Sequence, residues 1–232
     1  MVQVNNLPYV TLRIRFKKLG RLQYISHLDL VRTMSKILVR AKLPMWYTEG
    51  FNPKPKMVFA APLSIGTDSE AEFMDLRLLE HVDPGMVRAK LNACMTREMQ
   101  IKEAYYPTTP LTELAYLSYE IRIVSPMVTD ALLEKVRIAL SSDTVVVKKK
   151  TKSGERDVDI KGQIREASAS LDGDALVILA NLSADSASFL NPEYLVTYLK
   201  GATGVLTSPD LLSETYSILR KEAYRADMTL FR

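Results

Sequence analysis

The order of periodic segments predicts an α+β protein made of two ferredoxin-like (βαββαβ) domains in tandem, the second divergent. Three observations carry that reading. Strand-type alternation and helix-type periodicity succeed one another as β-α-β-β-α-β over residues 1–108. A stiff polar stretch follows, Pro107-Thr108-Thr109-Pro110, with the composition of a linker. A looser β-α-β…β-α order then returns over residues 115–232, without visible self-similarity to the first half.

The first half opens on Val10 to Phe16, where Leu12, Ile14 and Phe16 alternate with Thr11, Arg13 and Arg15. That is the period of a strand with one buried face. Ser26 is placed to cap a helix, with Asp29 as its capping partner three residues on. Leu30, Met34, Ile37, Leu38 and Ala41 form the inward stripe of that helix, Arg32, Lys36 and Arg40 the opposite one, and Pro44 stops it. Met45 to Thr48 and Met57 to Ala60 are short strand candidates flanking the loop Gly50-Phe51-Asn52-Pro53-Lys54-Pro55-Lys56. Glu72 to Glu80 reads as a strand with Met74, Leu76 and Leu78 inward. Asp83 and Pro84 open a helix that runs to about Met95, and Gln100 to Tyr105 is the closing strand.

In the second half, Tyr116 to Val124 is strand-like, with Leu117, Tyr119, Ile121 and Ile123 on one face. Thr129 to Leu140 is an amphipathic helix. Thr144 to Val147 is a strand running into Lys148-Lys149-Lys150 and a Ser153-Gly154 turn. Ala175 to Ala180, after the turn at Asp172-Gly173-Asp174, is a buried strand. Asn191-Pro192 opens the next helix, with Gly201 its natural stop. Residues 157–171 show neither period, and residues 211–232 suit a helix (Leu212, Tyr216, Leu219, Ala223) as well as a strand.

Charge is distributed unevenly. Residues 1–60 hold eleven lysines and arginines against Asp29 and Glu49, a net of +9, whereas the whole chain carries +4, which leaves −5 on the remaining 172 residues. Such asymmetry points to a polyanion or an acidic partner. The residues expected to bind it are Arg13, Arg15, Arg21, His27, Arg32, Phe51, Asn52, Lys54 and Lys56, converging on one concave face. Pro53 and Pro55 fix their own φ and bias Asn52 and Lys54 to extended backbone, so the loop is stiff before anything binds. Phe51 is either a stacking platform or a core anchor. Tyr24, Trp46, Tyr47 and Phe51, interleaved with the cations, suit RNA, whose phosphates need neutralising and whose bases stack on aromatic rings. Lys148, Lys149, Lys150, Lys152 and Arg156 make a second basic patch at a hairpin tip.

Other chemistry is sparsely provided for. Cys94 is the only cysteine and His27 and His81 the only histidines, so the sequence predicts no disulfide, iron–sulfur cluster, zinc site or other cofactor. It shows no Walker loop, dinucleotide fingerprint or nucleophile elbow. No secretory signal and no apolar run of roughly 18 residues is visible, so the expected setting is cytoplasmic, away from membranes. His27 has three readings: a packed histidine facing the sheet, a contact to ligand or partner, or a general base kept neutral by the helix N-terminus.

A longer series of motifs resembles a known family. It runs Arg13-Ile14-Arg15-Phe16, Gly20, Ser26-His27-Leu28-Asp29-Leu30, Arg32, Arg40-Ala41 and Gly50-Phe51-Asn52-Pro53-Lys54-Pro55-Lys56. It continues through Pro62-Leu63, Gly66, Glu70-Ala71-Glu72 and Asp75. The series is similar to the radical SAM-linked protein family, a bacterial family of unknown function that occurs alone or joined to the C-terminal end of radical SAM proteins. The resemblance extends over residues 10–125 and implies a radical SAM partner rather than an activity. Residues and resemblance together predict a non-catalytic RNA-binding accessory protein. The alternatives are a metal-independent ribonuclease or transferase using His27, and a docking module for the radical SAM partner without RNA.

Overall fold

Leu12, Ile14 and Phe16 are buried on one face of the first strand, β1 (Val10–Lys18), and seed the core of the amino-terminal part of the chain. The computed structural model describes residues 9–151, 154–210 and 212–232 and is mixed α+β. The chain divides into two compact units, Met1–Glu113 together with Arg232, and Leu114–Phe231.

In the first unit β1 is followed by α1 (His27–Arg40), β2 (Met57–Phe59), β3 (Thr67–Leu78), α2 (Pro84–Asn92) and β4 (Met99–Tyr105). The strands pair antiparallel in the order β4-β1-β3-β2, with Leu12 opposite Leu76 and Ile14 opposite Met74. Helix α1 begins where the capping pair predicts. The Ser26 hydroxyl accepts the Asp29 N–H at 3.1 Å and donates to the Asp29 carboxylate at 2.7 Å. Leu30, Met34, Ile37 and Leu38 join Leu12, Ile14, Phe16, Met74, Leu76 and Leu78 in a single core, each fully buried side chain contributing roughly 1.5–3 kcal/mol. Asp83 caps α2 through the Met86 N–H at 2.7 Å. That helix stops at Asn92 rather than Met95, because the Asn92 amide bonds both backbone groups of Ile101 (3.0 and 2.7 Å) and pins the end to β4. Met45 to Thr48 makes only isolated bridges, Met45 to Leu78 and Tyr47 to Pro55. The prolines at 44, 53 and 55 lack the N–H groups a ladder needs.

The expectation that β1 turns Arg13 and Arg15 to a ligand fails. Arg13 has no exposed surface and Arg15 only 6%. The cause is register: β3 sets Asp75 directly across from Arg13, and β4 sets Glu103 directly across from Arg15. Arg13 grips Asp75 with Nε at 2.7 Å and Nη2 at 3.2 Å, and also donates to the carbonyls of Thr109 (2.9 Å) and Arg232 (3.2 Å). Arg15 donates to Glu103 at 3.2 Å, and Arg77 donates to the hydroxyl of Thr11 across the same pair of strands. The second face of β1 is therefore a row of cross-strand polar pairs.

In the second unit the order is β5 (Tyr116–Val124), α3 (Asp130–Ser141), β6 (Val146–Thr151), β7 (Gly154–Asp159), β8 (Ile164–Asp172), β9 (Ala175–Ser183), α4 (Glu193–Thr203) and β10 (Thr215–Tyr224). Four strands pair antiparallel as β10-β5-β9-β8, while β6 and β7 form a separate hairpin. Residues 157–171 supply the end of β7 and most of β8, a half-exposed Ser/Ala-rich strand with little apolar alternation to read. The carboxy-terminal alternatives resolve to the strand: β10 buries Ile218 and Ala223 and sets Ile218 opposite Ile121. Helix α4 passes through Gly201 and stops at Gly204. That residue takes φ +77°, and its N–H reaches the Lys200 carbonyl at 3.1 Å. Lys152, Ser153 and Leu211 lie outside the described residues.

Breaking the Arg13–Asp75 pair strands a buried charge. Arg13→Ala is expected to lose about 3–5 kcal/mol of stability in urea unfolding, and the double replacement Arg13→Met/Asp75→Leu to lose less. Burial pushes the Tyr105 hydroxyl, which has no hydrogen-bond partner among the described residues, up to about 12. Burial and the hydrogen bond to Glu193 push Tyr216 up to about 12 as well. Unfolded tyrosines ionise near 10, so stability from this source is complete below about pH 10 and falls as pH rises toward 12. In an ultraviolet alkaline titration, Tyr105→Phe and Tyr216→Phe should each remove one late-ionising phenol; ionisation alongside the ordinary tyrosines contradicts the assignment.

Candidate nucleic-acid interface

The proline-rich loop closes on itself. The Thr48 N–H donates to the Lys54 carbonyl at 2.9 Å, the Lys54 N–H returns to the Thr48 hydroxyl at 3.0 Å, and the Lys56 N–H reaches the Trp46 carbonyl at 2.9 Å. Gly50 takes φ +114°, a conformation side chains disfavour. The result is a hook with Phe51 fully exposed at its tip, so Phe51 is no core anchor.

Between the outer face of α1 and the hook lies a groove of about 750 Å³. Its apolar floor comes from Leu28, Val31, Val39, Pro53 and Pro55, and its cations from Arg32, Lys36, Arg40 and Lys54, with Ser35 and Asn52 completing the lining. Among the described residues no carboxylate lines it; Asp29 meets Arg32 at 3.5 Å across two exposed side chains. Leu28 and Val39 are each more than half exposed. Arg32, Lys36 and Arg40 stand four residues apart, so each step rises about 6 Å along the helix.

Of the residues predicted from the sequence, Arg32, Asn52 and Lys54 come together here, with Phe51 next in the chain to Asn52. Arg13 and Arg15 do not, for the register reason given above. Arg21 is exposed in the 3₁₀ turn Gly20–Tyr24, away from the groove lining. Lys56 sets its ammonium 5.9 Å from the Trp46 ring centre, a cation–π contact. His27 is exposed at the start of α1, with its ring edge-on at 5.1 Å to Phe59 of the sheet strand β2. Among the described residues it makes no side-chain hydrogen bond. Sequence reasoning missed Leu28, Val31 and Val39, whose signal is a second apolar stripe at helical spacing on the face opposite the core.

The hairpin β6–β7 is less basic than its lysine run suggests. Lys148 stands 3.9 Å from Asp157, and Lys149 lies 4.8 Å from the Tyr194 ring. Burial, reinforced by Arg156, lowers the pKa of Lys149. Among the described residues no cluster of three or more metal-ligating side chains converges, and no helix is long and apolar enough to cross a membrane.

Residues 11–192 match the model of a family described as an uncharacterized protein conserved in bacteria (DUF2344). The chain belongs to that family. No curated protein matches this family member. Among solved structures it is similar to a chain of a Cbf5-Nop10-Gar1 complex, at 11% identity and a TM-score of 0.52, over 95% of its own length and 51% of the other. It is also similar to a chain of the archaeal box H/ACA sRNP Nop10-Cbf5 complex, at 11% identity and a TM-score of 0.47, over 95% and 50%. The family member thus spans about half the length of these two solved chains. At this identity the first likeness concerns the fold.

The groove cations carry no packing load. Arg32→Ala, Lys36→Ala, Arg40→Ala and Lys54→Ala are each expected to change unfolding free energy by no more than about 0.5 kcal/mol. Leu30→Ala, on the inner face of α1, should cost about 2–5 kcal/mol in the same measurement.

Proposed function

We propose that the chain is a non-catalytic RNA-binding accessory protein and that the groove between α1 and the hook is its binding face. The observation that carries this reading is a lining with four cations and no carboxylate, beside a fully exposed aromatic ring. Phosphates need the former and bases the latter. The exposure of His27, which makes no side-chain hydrogen bond among the described residues, supports a contact role over general-base catalysis. On the same reading residues 1–108 and 115–232 are two ferredoxin-like domains. The antiparallel orders β4-β1-β3-β2 and β10-β5-β9-β8 support it, with the β6–β7 hairpin an insertion in the second. The resemblance of Ser26-His27-Leu28-Asp29-Leu30 and the hook to radical SAM-linked proteins supports a cytoplasmic radical SAM enzyme as the partner served.

Fluorescence anisotropy with labelled RNA across a salt series tests the binding reading. Affinity should fall steeply between about 50 and 200 mM salt, and Lys36→Ala/Lys54→Ala should weaken binding about tenfold or more and reduce the salt slope by about two. Absence of binding at about 50 mM salt overturns it. Co-purification of a radical SAM protein from native cells, surviving nuclease treatment, tests the partner; its absence removes that part alone.

A further inference from the structure

We infer that the groove accepts a single RNA strand and not a duplex, with successive phosphates running along Arg32, Lys36 and Arg40 and one base stacked on Phe51. This rests on the RNA reading and narrows it. A cavity of about 750 Å³ is of the size that encloses a drug-sized molecule. It seats a few nucleotide groups but leaves a duplex touching only the rim. The three helix cations rise in steps of about 6 Å, close to the contour spacing of phosphates on an extended strand, so one strand engages them in order. Phe51 offers what a duplex cannot use. Its ring is fully exposed and makes no ring–ring or cation–π contact among the described residues, while bases inside a duplex have no free face to lay on it. The hook is closed by its own hydrogen bonds and stiffened by Pro53 and Pro55, so ordering it on binding costs little.

An acidic amphipathic helix is the competing occupant, and the floor argues against it. Such a helix needs a continuous apolar stripe. Here Ser35 divides Leu28 and Val31 from Val39, its hydroxyl bonded to the Val31 carbonyl at 2.9 Å.

The test uses the full chain and two RNAs of equal phosphate number, a single-stranded oligouridine and a blunt, base-paired hairpin, with affinity read by anisotropy. The single strand is expected to bind at least about tenfold more tightly. Phe51→Ala should cost it about tenfold while leaving hairpin binding and the salt slope unchanged, and Phe51→Trp should retain affinity. Equal binding of both RNAs, with Phe51→Ala silent, overturns the single-strand assignment and leaves RNA binding standing. Binding of neither RNA overturns both. Tighter, Phe51-dependent binding of an acidic amphipathic peptide overturns the assignment in favour of protein docking.

Discussion

A guanidinium sealed inside the first unit sets much of what the rest of the chain can do. Arg13 has no exposed surface, yet hydrogen bonds satisfy it, among them two to Asp75 and one each to the carbonyls of Thr109 and Arg232. A buried charge survives only when paired and hydrogen-bonded, so the arrangement is all-or-nothing. It fixes β1 against β3 in one register, because a slip of one residue would turn Arg13 to the apolar face and Leu12 or Ile14 to the polar one. It also ties residue 109, beyond the last strand of the unit, to the sheet. Arg15 and Glu103 repeat the device on the neighbouring strand pair.

That internal use of charge explains why the net charge of the opening segment overstates the charge available to a ligand. Composition counts a buried, paired arginine and a solvated lysine alike. The strand alternation of Thr11, Arg13 and Arg15 was legible, but alternation says only that two faces differ, not that the polar one meets water. Pairing partners lay 62 and 88 residues away, beyond the reach of local pattern. Local signals did well where local physics decides: Ser26 and Asp29 at the start of α1, Asp83 and Pro84 at the start of α2, and the β5 alternation all sit where their residues place them. They did poorly where long-range contacts decide. Asn92 ends α2 early by bonding β4, and β8 is a strand through pairing with β9 despite weak alternation of its own. Gly201 and Gly204 are equally good stops on paper, and only the left-handed φ of the second separates them.

Helix α1 serves two surfaces at once. Its inner stripe is ordinary core. Its outer face interleaves Leu28, Val31 and Val39 with Arg32, Lys36 and Arg40, and the hook folds over that mixture to make a groove instead of a flat solvated face. Half of the groove was readable: the four-residue spacing of the cations and the stiffness of the loop are both sequence properties. Their meeting was not, because it depends on the turn at Gly50 and on the hydrogen bonds between Thr48 and Lys54.

The electrostatics of the groove give it a direction. Among the described residues four cations share a lining without a carboxylate, and Arg32 forms an ion pair with the exposed Asp29. Like charges gathered in a concave, partly apolar surface raise its potential and repel one another. The exposed apolar floor and the solvated Phe51 ring add a second term of different chemical kind. A small inorganic anion relieves the first and not the second, and an apolar ligand relieves the second and not the first. An extended ligand with anionic and flat apolar parts in alternation relieves both, and the single strand proposed above has that constitution.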